Sequence, residues 1–252
     1  ARAVARDLVE RQWGERLIRG WNDGWMELPG RLGGKIARLI GADADEVLVC
    51  DSTSVNLFKL AAAAVAAQAP RRGILSDRLT FPSDAYVLAW CGELRLADDA
   101  VGACDAGTAL VALTQTCFRT AAVYPMDSVT ARVRATGAWI LWDLSHSVGA
   151  FPVDLHASGA ELAVGCTYKY CNGGPGAPAL VASSFESTPT PFVRSTKMRL
   201  RVSSRSMSSS VFGNVFTNVR IFSITSGVKS CETPPTRVQL LVKRAPQSVS
   251  KM

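Results

Sequence analysis

The sequence predicts an α/β protein, a mainly parallel seven-stranded sheet with helices on both faces. Short runs rich in Val, Leu and Ile recur along residues 1–183, separated by stretches with helical spacing of apolar side chains. Hydroxyl residues, Pro and Gly fall at the boundaries, where caps and turns belong. An apolar share of 48% over 252 residues is enough for a sizeable core. Strands that alternate with crossover helices pair in parallel, and their ligand sites lie beyond the strands' carboxyl ends.

The elements follow in order. "ARAVARDLVERQW" and "RLGGKIARLI" carry helical apolar spacing, and residues 1–44 form an N-terminal helical segment. "EVLVC" is a strand, and "STSVNLFKLAAAAVAAQ" opens with hydroxyl residues suited to an N-cap and continues as a helix. "GILSD" is a strand; "PSDAYVLAWC" is a helix with Pro82 in its first turn. "ELRLA" and "ALVALTQ" are strands, and "MDSVTARVRATG" is a helix closed by Gly137. The strand "AWILW", a short helix near "HASGA", and the strands "ELAVGC" and "APALVA" complete a domain over residues 45–184.

Residues 185–252 read differently. The net charge of +7 is unevenly placed: residues 1–185 carry 17 basic and 19 acidic side chains, and residues 186–252 carry 11 and 2. The basicity belongs to the tail and says nothing about the body's ligand. The tail is rich in Ser, Arg, Thr and Val, and reads as a disordered or frameshifted extension. It lacks the interleaved aromatics and RG repeats of an RNA-binding arm, which argues against a nucleic-acid partner. No apolar run approaches the roughly 20 residues of a membrane helix, and no basic-then-apolar leader pattern is present. Seven cysteines without a C-x-x-C pair suggest neither a disulfide framework nor a zinc knuckle, and fit a reducing cytoplasm.

The chemistry concentrates in "WDLSHSVGAFPVDLHASGAELAVGCTYKYCNGGPGAP". Asp143 follows a buried strand directly, and His146 lies three residues on. Taken alone, such an acid is as often a cap or turn residue, and a lone histidine is more often structural. Lys169 changes the balance. It sits past another strand between Tyr168 and Tyr170, ahead of glycines 173, 174 and 176, which let the backbone approach a ligand. Partial burial favours the neutral, nucleophilic form of an amine, which can attack an aldehyde. An amine and a carboxylate in one crevice match what pyridoxal 5′-phosphate needs: a covalent anchor, and a partner for its protonated ring nitrogen. "DSTSVN" adds Thr53 and Ser54 where a strand gives way to a helix N-terminus, a setting that favours a phosphate dianion. "LTFPSD" adds Phe81 as a ring cover, with Asp84 beyond it. Each of these last two features alone is more often capping or core packing.

Together the blocks "TSVN", "FPSD", "WDLSHSVGAFPVDL" and "VGCTYKYCNGGPGAP" resemble kynureninases, a class V family within the fold-type-I pyridoxal phosphate enzymes. The resemblance implies that this is the family's large domain. It makes Lys169 the cofactor's covalent anchor and Asp143 the partner of the ring nitrogen. Phe81 would stack on the ring near Asp84, Thr53 and Ser54 would hold the phosphate with Tyr168, and His146 and Thr114 would sit beside the cofactor. The implied reaction is hydrolysis of L-kynurenine or 3-hydroxykynurenine to anthranilate or 3-hydroxyanthranilate and L-alanine, in tryptophan catabolism, by a homodimer. The family's Trp/Gly-rich segment, small domain and carboxylate-gripping arginine have no counterpart after Ser184, and Ala121 stands where the family has glycine. The alternatives are a fragment that binds the cofactor without turnover, and another class V lyase. A desulfurase would need a mobile cysteine, and Cys166 and Cys171 are badly placed for that beside the lysine.

Overall fold

The computed structural model describes residues 2–183, and the expectations for the tail and for a small C-terminal domain lie outside them. The helices are α1 (Arg2–Asp7), α2 (Leu28–Ile40), α3 (Thr53–Ala67), α4 (Pro82–Cys91), α5 (Met126–Ala135) and α6 (Leu155–Ser158). The strands are β1 (Val47–Cys50), β2 (Gly73–Asp77), β3 (Glu93–Ala97), β4 (Thr108–Thr114), β5 (Trp139–Asp143), β6 (Leu162–Cys166) and β7 (Ala179–Ser183). They form one sheet in the order β1-β7-β6-β5-β4-β2-β3. β7 is antiparallel to both neighbours and the other pairs are parallel, so β7 alone runs against the rest. The mainly parallel sheet with helices on both faces stands as expected.

Burial explains why the strands read as unbroken apolar runs. Every residue of β2, β4 and β6 is buried, as parallel strands covered on both faces must be. Along β5 the side chains alternate between two cores. Ile140 and Trp142 join Ile36, Ile40 and Val129 on one face; Leu141 joins Leu57, Leu60 and Leu88 on the other. The edge strand β3 carries Glu93 and Arg95 on a largely exposed surface, which blunts pairing with another chain. α3 leaves the opposite edge after β1 and lies across β7, β6, β5 and β4 before the chain enters β2. β2 and β3 therefore fall on one side of β4, and β5 and β6 on the other. At that switch the strand ends leave a crevice.

The N-terminal segment is helical but not one continuous α-helix: α1 gives way to a π-helical stretch over Leu8–Arg16 and a 3-10 stretch over Leu17–Asp23. Gly14 and Gly20 lower helix propensity there, and no side chain of Arg2–Arg16 is buried to compensate. Among the described residues, no helix is long and apolar enough to cross a membrane.

Trp142 anchors the middle of the sheet. It is fully buried, and its Nε1 donates to Thr130 Oγ1 at 3.1 Å on α5, also fully buried. Thr130→Val removes the only acceptor this indole has on α5 while keeping its shape. Urea unfolding is expected to show a loss of about 1–3 kcal/mol, the cost of an unpaired buried donor. An unchanged midpoint would mean that the bond contributes nothing net.

Candidate active site

Three parallel strands deliver their carboxyl ends to one edge. Thr114 closes β4 opposite Asp143, which closes β5, and Asp143 pairs in register with Val164 of β6. Beyond β6, Thr167 Oγ1 donates to Pro178 O and Gly173 N to Thr167 O, which pins the loop that carries Tyr168 and Lys169. The result is a cleft of about 160 Å³ whose walls include Thr53, Ser54, Phe81, Asp84, Asp143 and Lys169, together with His146 and Tyr168. Of the residues expected here, Thr114 alone is absent from these walls; it lines an adjoining, smaller space that shares Asp84 and Asp143 with the cleft.

The phosphate-type cradle is built by a turn. Asp51 adopts φ 49°, in the left-handed region, and its carbonyl accepts from Ala179 N at 2.9 Å. This turn sets Ser52 as N-cap of α3, where its Oγ accepts from Val55 N at 3.3 Å. The N–H groups of Thr53 and Ser54 belong to the helix's first turn, which has no intrahelical acceptor for them. With two hydroxyls and the positive end of the helix dipole, they make a site for an anion.

Asp143 is 6% exposed, and its Oδ1 accepts from Ser145 N at 2.9 Å. Burial pushes its carboxyl upward; the Ser145 hydrogen bonds, Lys169 and His146 push back. Asp84 is equally buried, and its Oδ1 accepts from Ser83 Oγ at 3.2 Å. Burial, then the Asp143 charge, raises its carboxyl to about 7 against weaker opposition from Ser83 and Lys169. Lys169 Nζ lies 2.9 Å from His146 Nε2 and 5.7 Å from the Tyr168 ring centre. An ammonium on Lys169 donates to Nε2, which places the imidazole proton on Nδ1. Nδ1 is buried and has no partner among the described residues. Burial, then Lys169, depresses the His146 pKa, with Asp143 acting the other way.

Two details revise the sequence reading. Tyr168 and Tyr170 are half exposed, so the lysine is held by His146 and not by an aromatic enclosure. The loop glycines serve the backbone: Gly174 and Gly176 have φ 83° and 78° with nothing near their missing Cβ, and none of the three borders the cleft. Ser52, Ser83 and Ser145 were missed. Ser52 opens the hydroxyl run that reads as an N-cap but was not singled out as a site residue, and Ser145 acts on Asp143 through a backbone N–H that no side-chain pattern reveals. Phe118 was missed too; its ring meets Phe81 edge-on at 5.0 Å from the loop after β4. In that loop Ala121 has φ 57°, a left-handed conformation that explains the expectation of glycine and costs a non-glycine residue roughly 1–2 kcal/mol.

No family model matches the chain. The kynureninase of Burkholderia mallei (strain SAVP1) is 50% identical over 196 residues, covering 72% of this chain and 47% of that protein. The kynureninase of Pseudomonas fluorescens is 44% identical over the same shares. Over that span the chain is a relative of the kynureninases. It spans about half the length of these curated relatives. Among solved structures, an alanine–glyoxylate aminotransferase from Nostoc sp. superposes with TM-score 0.55 at 18% identity, over 64% of this chain and 46% of that one. A cysteine desulfurase from Thermococcus onnurineus gives 0.52 at 20%, over 62% and 42%. At such identities these two show the fold of the kynureninase-like body alone.

The raised Asp84 pKa has a consequence for stability. Its protonated form is favoured in the folded chain, so its contribution is complete below the unfolded value near 4 and is lost as pH rises through about 7. Asp84→Asn is neutral at every pH. Without added ligand, that variant is expected to gain on the parent chain between pH 4 and pH 8, by up to about 4 kcal/mol in denaturant unfolding. A difference independent of pH would contradict the buried-acid assignment.

Proposed function

We propose that the cleft binds pyridoxal 5′-phosphate, and that the chain forms the cofactor-holding part of an enzyme hydrolysing L-kynurenine, or 3-hydroxykynurenine, to anthranilate, or 3-hydroxyanthranilate, and L-alanine. The observation that carries this reading is a buried carboxylate and an amine opening on one cleft that also holds a helix N-terminus. The donor set suits the cofactor. First-turn N–H groups and hydroxyls fit a phosphate, Asp143 fits a protonated ring nitrogen, and the 39% exposed ring of Phe81 fits a stacked aromatic face. The unpartnered Nδ1 of His146 offers a donor for an oxygen beside the ring. Homodimer formation and a cytoplasmic setting belong to the same reading.

Bound there, the cofactor supplies an electron sink conjugated to the substrate's α-carbon. The chain's own residues supply position and proton traffic. Thr53 and Ser54 fix the phosphate end, and Phe81 fixes the plane of the ring. Asp143 keeps a proton on the ring nitrogen by placing negative charge beside it. Lys169 Nζ, once its lone pair is free, takes the substrate's α-proton as general base. His146 Nε2, 2.9 Å from Nζ, keeps the amine aimed and can accept a proton from it.

A second reading is binding without turnover. No arginine borders the cleft among the described residues, so a cation for the substrate's α-carboxylate has to come from elsewhere. A desulfurase-type reaction is disfavoured, because Cys166 is 1% exposed and neither Cys166 nor Cys171 borders the cleft.

Addition of pyridoxal 5′-phosphate to the full chain is expected to give the visible absorbance of a lysine-bound cofactor, and Lys169→Ala to abolish it. Added kynurenine is then expected to release fluorescent anthranilate, with at least a hundredfold loss in Asp143→Ala, on the order of what a general catalytic group contributes. Absorbance without product supports the second reading. No Lys169-dependent absorbance defeats both.

A further inference from the structure

Adjoining the cleft, and sharing Asp84 and Asp143 with it, is a small space of about 10 Å³ that takes in Thr114. Its other walls include Thr80, Leu57, Leu88 and Leu141. About 10 Å³ is enough for a water molecule, and a buried water typically makes about three hydrogen bonds. Thr114 is 5% exposed, and its Oγ1 is buried without a hydrogen-bond partner among the described residues. Leaving such a hydroxyl unpaired destabilises the folded chain. Two carboxyl groups share its cavity, each 5–6% exposed. An unpaired hydroxyl, two acids and a space the size of one water are the components of a hydration site.

We propose that a single buried water joins Thr114 Oγ1 to the carboxyl groups of Asp84 and Asp143, and that the two acids share one proton through it. The direction of sharing follows from the neighbours. Asp143 accepts a backbone N–H from Ser145, and Lys169 and His146 lie on its cleft side. Asp84 has one hydroxyl donor, Ser83, and faces Asp143, Tyr168 and the more weakly acting Lys169. The proton therefore rests on Asp84, and Asp143 presents its negative charge to the cleft. When Asp84 gives its proton to the water, the water passes one of its own to Asp143, so the pair's net charge is unchanged. Like carboxylates in one buried space resist ionising together, and the relay keeps the second charge from forming. Thr114 is then a positioning residue for the water through which the two acids communicate.

The functional consequence rests on the cofactor reading, since an anionic Asp143 matters there as partner of a ring nitrogen. The test does not. It uses the full chain without added cofactor, with carbon-13 labelled aspartate and Asp84→Asn to assign the signals. The Asp84 carboxyl is expected to titrate near neutrality. Thr114→Val removes the hydroxyl that holds the water and should move that titration upward by about one pH unit, because the ionised form loses a hydrogen bond. Thr114→Ser, which keeps the hydroxyl, should restore the original midpoint. A crystal structure of the unsubstituted chain should place one water within hydrogen-bond distance of all three side chains, which decides the matter even where Thr114→Val fails to fold. The proposal is overturned by equal midpoints in well-folded Thr114→Val and parent chains. It is equally overturned by a dry cavity, or by direct contact between the two acids. Failure of cofactor binding in the separate absorbance experiment would leave this result standing.

Discussion

A carboxylate at the end of a buried strand has to be paid for in desolvation, and the arrangement of this molecule's site follows from how Asp143 meets that cost. The residue sits inside the sheet's edge because β5 is covered on both faces, by Trp142 and its neighbours on one side and Leu141 with α3 and α4 on the other. Bulk water is largely excluded from the charge there. The hydrogen bonds from Ser145 do the larger part of the work of stabilising it, and Lys169 and His146 add to it. An acid so placed is a poor contributor to stability and a strong local field. Fields of this kind are found where a protein has to control charge on something it binds.

The fold arranges the remaining partners around that field without long-range adjustments. α3 begins beside the cleft because β1 ends there, and it crosses four strands before β2 begins. Its N-terminus, with Ser52 as cap, therefore faces the same space as Asp143. Lys169 arrives from β6, the strand next to β5, and is held by His146 from the turn just after β5. Anion site, amine and buried acid are thus three consequences of one sheet topology. The likeness in fold to an aminotransferase and a desulfurase agrees with the sheet topology.

Much of this was legible in the sequence, for an identifiable reason. Parallel strands buried on both faces are near-continuous apolar runs, so "GILSD" coincides with β2; "ELRLA" and "PSDAYVLAWC" coincide with the edge strand β3 and with α4. Residues that end such runs, Asp143 among them, are positioned by the strand alone. What stayed hidden depends on contacts between segments. Phe118 reaches Phe81 from a loop with no periodicity, and Ser145 acts through its backbone. Thr114 closes β4 as its sequence suggests, yet only the folded chain shows that it lines a small space together with Leu57, Leu88 and the two acids. The N-terminal segment has helical spacing but nothing to bury its apolar side against, and spacing alone does not make one continuous helix.

The dependence of the whole site on Asp143 and Lys169 acting across one space can be tested by trapping. The full chain mixed with pyridoxal 5′-phosphate, reduced with borohydride and digested, should yield a single pyridoxyl-modified peptide, the one carrying Lys169. The yield should fall sharply when Thr53 and Ser54 are both replaced by alanine. Modification spread over Lys35, Lys59 and Lys169 alike, or its absence from Lys169, would contradict the account.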